Sequence, residues 1–85
     1  MSKNGTIRLQ VEMEKEGYAE LQRLMKETGT RTMKELTNNA FTLLKWAIKK
    51  RKEGASIVAM NEKRKIYVEL GMPILEVVIP NTETE

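Results

Sequence analysis

Thr-Ile-Arg-Leu-Gln-Val-Glu-Met, residues 6–13, is the stretch on which the fold prediction depends. Apolar and polar residues alternate along it, which is the period of a β-strand, because successive strand side chains point to opposite faces. The apolar face would consist of Ile7, Leu9, Val11 and Met13, and the polar face of Thr6, Arg8, Gln10 and Glu12. The following residues read as helices to about residue 52. Because a lone strand leaves its backbone polar groups unpaired, a second copy or the last third of the chain must supply a partner.

Composition restricts the classes of function. The chain has 85 residues, which is one small domain, and it contains neither cysteine nor histidine. A disulfide framework is excluded, and only oxygen atoms remain as metal ligands. We therefore expect no enzyme activity, no cofactor and no metal site. The start of the chain lacks the apolar run of a signal peptide or membrane span, so we expect a soluble, cytoplasmic protein without a membrane partner.

Positive charge is concentrated in the middle of the chain. The formal net charge is +3, but residues 31–52 hold seven basic residues against Glu35 alone, and residues 53–85 sum to −3. A polyanion would therefore be attracted to the middle of the protein. The basic run 49–52 also has a simpler explanation, since lysines at the end of a helix interact favourably with its dipole.

Two helices are predicted after the first strand. The first begins near Glu14 and ends at Gly29, because glycine adopts the left-handed conformation that closes many helices. Thr30 or Thr32 would cap the second helix, which runs to about residue 52. Its apolar stripe consists of Met33, Leu36, Ala40, Leu43, Leu44, Ala47 and Ile48. Phe41 and Trp46 lie off this stripe, which suggests that a partner chain or the C-terminal segment covers them.

Beyond Gly54 the periodicity changes. Residues 56–60 and 65–70 are rich in β-formers and are separated by four polar residues, which predicts a β-hairpin. A third apolar run, 74–79, ends at Pro80. The predicted organisation is a flexible arm at 1–5, a main domain at 6–54, a β extension at 55–80 and a disordered tail at 81–85.

The order of strand, helix, glycine turn and helix resembles the ribbon-helix-helix (MetJ/Arc/CopG-like) family of DNA-binding proteins. The matching residues are Ile-Arg-Leu-Gln-Val-Glu-Met at 7–13, Gly-Thr-Arg-Thr-Met-Lys-Glu-Leu at 29–36 and the long second helix. The resemblance covers about residues 6–52. It implies a mostly α fold with a β-ribbon, one strand and two helices per chain, to which the C-terminal hairpin would be added. It also implies an obligate homodimer whose paired strands enter the major groove of double-stranded DNA, as β-ribbon readers do.

The same resemblance implies roles for individual residues. Arg8 and Gln10 would read bases, because arginine can contact guanine and glutamine can contact adenine with two hydrogen bonds each. Glu12 or Thr6 would be the third reader, although phosphates would repel Glu12. Backbone N–H groups at the start of the second helix would hold a phosphate, which maps to Thr30, Arg31, Thr32, Met33 and Lys34. The dimer core would consist of Ile7, Leu9, Val11, Met13, Leu36, Ala40, Leu43 and Leu44.

Three interpretations remain open from the sequence. The first is a homodimeric DNA-binding protein, either a transcriptional regulator such as a repressor or an antitoxin. The second is a dimeric protein-interaction module that binds a toxin or another protein through residues 55–80 and does not read DNA. The third is a monomeric α+β domain in which the C-terminal strands pair with residues 6–13. The oligomeric state distinguishes the last from the other two.

Overall fold

A computed structural model describes residues 5–81 of the chain. Three helices and two strands occur in this range, and their bounds are α1 Lys15–Thr28, α2 Met33–Lys52, β1 Val58–Asn61, β2 Ile66–Glu69 and α3 Pro73–Glu76. The chain forms two compact units, one up to Leu36 and one from Thr37 onward, so that the division falls within α2. The predictions made for residues 1–4 and 82–85 lie outside the described residues.

The first unit contains α1, and the predicted helix is confirmed. The backbone of Glu14 is extended, with φ −71° and ψ 161°, and the helix starts at the next residue. At the other end Gly29 has φ 72°, the left-handed conformation predicted for it. The N–H of Thr30 then donates to the carbonyl oxygen of Met25 at 3.1 Å, so the last carbonyls of α1 are satisfied.

Helix α2 is also confirmed, from Met33 to Lys52. Thr32 caps it: its Oγ1 accepts a hydrogen bond from the N–H of Glu35 at 3.0 Å. A side-chain oxygen at this position satisfies one of the backbone donors that a helix start leaves open. At the C-terminal end Gly54 has φ 86°, and its N–H donates to the carbonyl of Arg51 at 2.9 Å.

The predicted fold class is wrong in its order of elements. Residues 6–14 belong to neither a helix nor a strand. Within residues 5–81 the sheet consists of β1 and β2 alone, and both strands follow the two long helices. A strand forms only where a second edge accepts its backbone hydrogen bonds, and this chain does not bring another strand to residues 6–13. The structure therefore also contradicts the third interpretation, in which the C-terminal strands would pair with that stretch.

The C-terminal hairpin lies where the sequence predicted one. Strands β1 and β2 pair antiparallel, in a register that sets Val58 opposite Glu69 and Asn61 opposite Ile66. The Oδ1 of Asn61 accepts a hydrogen bond from the N–H of Arg64 at 3.1 Å, and Lys65 closes the turn with φ 57°. Both strands are exposed along their length. A two-stranded hairpin is marginally stable by itself, so the hairpin depends on other parts of the molecule or on a partner.

Two side chains form the core of the second unit. Ala47 of α2 and Leu75 of α3 are buried, and they are the only buried residues among those described. The end of the chain is tied to α2 through its backbone, since the N–H of Asn81 donates to the carbonyl of Lys52 at 2.7 Å. Among residues 5–81 no helix has both the length and the apolar composition needed to cross a membrane.

Candidate nucleic-acid interface

The candidate base-reading residues are open to solvent. Arg8, Gln10 and Glu12 are exposed, and none of them forms a hydrogen bond or ion pair with another described residue. Thr6 is exposed as well, but it does have an interaction within the chain. The guanidinium of Arg8 and the amide of Gln10 are therefore available to an external partner with donors and acceptors, such as the edge of a base pair.

The apolar residues of the same stretch are also uncovered. Ile7 is 80% exposed, Leu9 76% and Val11 77%. Met13 is less exposed and lies against the first turn of α1, where its Sδ atom is 3.7 Å from the position that a Cβ on Gly17 would occupy. Apolar side chains this exposed, at alternate positions, leave a large favourable transfer free energy unrealised. This part of the first unit therefore needs a covering surface from outside the described chain.

The start of α2 holds the predicted phosphate-binding residues, and some of their amides are already occupied. The N–H of Thr30 donates to Met25, and the N–H of Arg31 donates to the Oε1 of Glu35 at 2.9 Å. Together with the bond from Glu35 N–H to Thr32, this arrangement is a variant of the capping box.

Three of the predicted donors remain at this helix start. The N–H groups of Thr32, Met33 and Lys34 donate to no acceptor among the described residues. Their direction and the helix dipole favour an anion. The carboxylate of Glu35 acts against this, because it places a negative charge in the first turn. A phosphate at this position would have to approach through the side chains of Arg31 and Lys34, which are both exposed.

The basic residues at the end of α2 divide into two groups. Lys50 forms an ion pair with Glu53, at 3.3 Å between Nζ and Oε1. Arg51 is half-buried and donates from Nε to the carbonyl of Leu75 at 3.3 Å and from Nη1 to the carbonyl of Ala55 at 3.4 Å. Lys49 and Lys52 are exposed and have no ion pair within residues 5–81. Half of this basic run therefore holds the fold, and the other half is free to attract an anion.

Sequence reasoning missed the role of Arg51. The residue lies in a run of four cations that is typical of a helix C-terminus, and its acceptor Leu75 is 24 positions away. No local pattern indicates which of the four cations turns toward the chain. The structure is needed to single it out.

An apolar groove lies in the second unit, beside the predicted dimer-core positions of α2. It has a volume of 450 Å³, and all the side chains that line it are apolar. The α2 side of the groove includes Phe41, Leu43 and Trp46, and the C-terminal side includes Ile57, Leu70 and Leu75. The C-terminal segment therefore covers this face of α2 in part, as the positions of Phe41 and Trp46 indicated. Both aromatic side chains remain about half exposed, at 53% and 48%.

The described residues contain no group of three or more acidic side chains placed to hold a metal ion. Comparison of the chain with models of protein families, with curated proteins and with solved structures finds no match. The residues themselves therefore carry the argument about function.

Proposed function

We propose that this protein is a homodimeric, sequence-specific DNA-binding protein that acts as a transcriptional regulator or as an antitoxin. In the proposed dimer, residues 6–13 of two copies meet and pair, their apolar side chains are covered, and Arg8 and Gln10 face base edges in the major groove. The observation that carries the proposal is the exposure of Ile7, Leu9 and Val11 beside unengaged Arg8 and Gln10.

Energy supports the association of two copies. Full burial of a side chain such as Ile7, Leu9 or Val11 contributes about 1.5–3 kcal/mol. Pairing of two such stretches would add backbone hydrogen bonds that a single chain does not make at residues 6–13, since its sheet, as far as the chain is described, consists of β1 and β2. An identical copy is a suitable partner because its stretch has the same alternation of apolar and polar residues.

Charge supports DNA as the ligand. Residues 31–52 carry a net charge of +6, and Arg31, Lys34, Lys49 and Lys52 of this region are exposed. Basic side chains that neutralise phosphates release counterions, so the affinity for duplex DNA would fall steeply with salt. Phosphate contacts of this kind position a protein on DNA, whereas Arg8 and Gln10 would supply base discrimination.

The experiment is a fluorescence anisotropy titration of a labelled duplex with the full chain at several salt concentrations. We expect a linear fall of log K with log salt, with a slope of about −0.9 per phosphate neutralised. Sedimentation on the same samples gives the oligomeric state. A folded dimer that does not bind duplex DNA at low salt would refute the DNA-binding function.

A second function is favoured by one specific observation. Glu12 is exposed on the same stretch as Arg8 and Gln10, and the apolar residues Met60, Tyr67 and Val68 of the hairpin are 57–65% exposed. A dimeric module that binds a protein partner through residues 55–80 would use these features and would not read DNA. The same titration separates the two functions, because such a module would show no salt-dependent binding to the duplex.

A further inference from the structure

The apolar groove of the second unit is too large and too uniformly apolar to remain open in water. Phe41, Leu43 and Trp46 on its α2 side are 53%, 65% and 48% exposed. On the opposite side Leu75 is buried, but Leu70 is 47% exposed. Apolar surface that is contiguous in this way marks an interaction site in a soluble protein. The remaining question is which molecule occupies it.

The exposed area of the chain matches the requirement of a dimer. The chain exposes 8291 Å², whereas a folded monomer of 9.8 kDa is expected to expose about 5,200 Å². The excess is about 3,100 Å² by the same scaling. Each subunit of an obligate homodimer buries roughly 1,000–2,500 Å². The chain therefore has enough surface in excess to form such an interface, of which the groove is one part.

Charge favours a second copy over an unrelated partner. No charged side chain lines the groove, so two chains of net charge +3 can meet there without burying a cation. Beside the groove, the same unit carries exposed cations at the end of α2 and exposed carboxylates on the extension, such as Lys49 and Glu69. In a twofold arrangement each basic end can face the acidic extension of the other copy. A foreign partner would have to provide this complementary surface independently.

From these observations we infer that the groove between α2 and the C-terminal segment packs against the same groove of a second copy. The inference rests on the homodimer of the proposed function and assigns the C-terminal extension to the dimer interface. Residues 55–75 then have two tasks: Leu75 covers Ala47 within the chain, and Ile57 and Leu70 meet the other copy.

Trp46 reports on this interface directly, because it is the only tryptophan of the chain. We expect its emission to be shifted to shorter wavelength and protected from acrylamide quenching in the concentrated full chain. On dilution, the emission should shift back together with the decrease in mass measured by sedimentation. A chain that stays monomeric, with Trp46 open to quencher at all concentrations, would overturn the inference. It would also leave the groove to a foreign protein or an apolar ligand.

Two matched variants locate the interface. Leu43 lies in the groove and is 65% exposed, whereas Met60 lies on the hairpin outside the groove and is 63% exposed. We expect Leu43→Lys to raise the dimer dissociation constant roughly 30-fold or more, as expected for a residue at the centre of an interface. Met60→Lys should change it by less than about threefold. Equal weakening by the two variants, or none by Leu43→Lys, would contradict the assignment.

The measurements separate this inference from the DNA-binding function, because they are made without DNA. Circular dichroism of each variant shows whether the helices are kept, and Phe41→Lys provides a second groove variant if Leu43→Lys is unfolded. A dimer that protects Trp46 but does not bind duplex DNA supports the groove interface and refutes DNA binding. A dimer that binds DNA while Trp46 stays open to quencher refutes the groove interface alone.

Discussion

The guanidinium of Arg51 donates from Nε to the carbonyl oxygen of Leu75 at 3.3 Å and so joins the last turn of α2 to α3 across 24 positions of sequence. The same side chain also donates from Nη1 to the carbonyl of Ala55 at 3.4 Å. Leu75 is one of the two buried residues of the described chain. Arg51 therefore fixes the segment that supplies half of the small core.

Arg51→Ala should destabilise the second unit. Hydrogen bonds from a charged donor are worth about 1.5–3 kcal/mol, and those of Arg51 are long and only half-buried, so we expect a loss near the lower end. Urea denaturation followed by circular dichroism measures the change. Lys49→Ala is the control, because Lys49 is an exposed cation of the same helix end, and it should change stability by no more than about 0.5 kcal/mol. Equal losses would show that the charge at the helix end, and not the two hydrogen bonds, is what stabilises.

Gly29→Ala should destabilise the first unit through the backbone alone. Gly29 has φ +72°, and a Cβ added there meets no atom within 4 Å, so the cost is that of a left-handed residue, about 1–2 kcal/mol. Gly17→Ala is the matched control. Its new Cβ would lie 3.7 Å from the Sδ of Met13, an ordinary contact, and it should stabilise by about 0.4–1 kcal/mol. Thermal unfolding of the two variants should therefore shift in opposite directions.

Local signals in the sequence predicted much of this structure. The stop at Gly29 and the cap at Thr32 depend on a few neighbouring residues, and both lie where the sequence indicated. The hairpin was also found, because its strands are separated by a short polar turn and are therefore close along the chain.

Non-local contacts were beyond the sequence. The alternation at residues 6–13 specifies which side chains would share a strand face, but it does not show whether a partner strand exists within the chain, and none does among the described residues. The position of Arg51 was missed for the same reason, since Leu75 is far away in sequence. For the candidate interface, the sequence could nominate Arg8 and Gln10 but could not show that Glu35 occupies the amide of Arg31.

Thr32→Ala should weaken the start of α2. The Oγ1 of Thr32 accepts the N–H of Glu35 at 3.0 Å, and loss of such a cap costs about 0.5–2 kcal/mol. Thr32→Ser keeps the acceptor and should retain most of the stability. Chemical denaturation of the three proteins measures both effects. If Thr32→Ser were as unstable as Thr32→Ala, then the methyl group of Thr32, and not its hydroxyl, would be the stabilising feature.

Arg8→Ala tests the base-reading role within the proposed function. A guanidinium that contacts guanine with two hydrogen bonds discriminates against other bases by about 1–3 kcal/mol. Selection of bound duplexes from a randomised pool should therefore give the wild-type chain a preferred sequence and give Arg8→Ala a weaker preference at one position. Affinity for unselected DNA should fall less than this preference does.

Arg23→Ala is the charge-matched control for this experiment. Arg23 lies on α1, is exposed and forms an ion pair with Glu20 at 3.0 Å, so its removal takes one positive charge from the chain without touching residues 6–13. It should leave the base preference unchanged. If Arg8→Ala lowered affinity for all duplexes alike, preserved the preferred sequence and reduced the salt slope by about one, Arg8 would contact a phosphate and would not read a base.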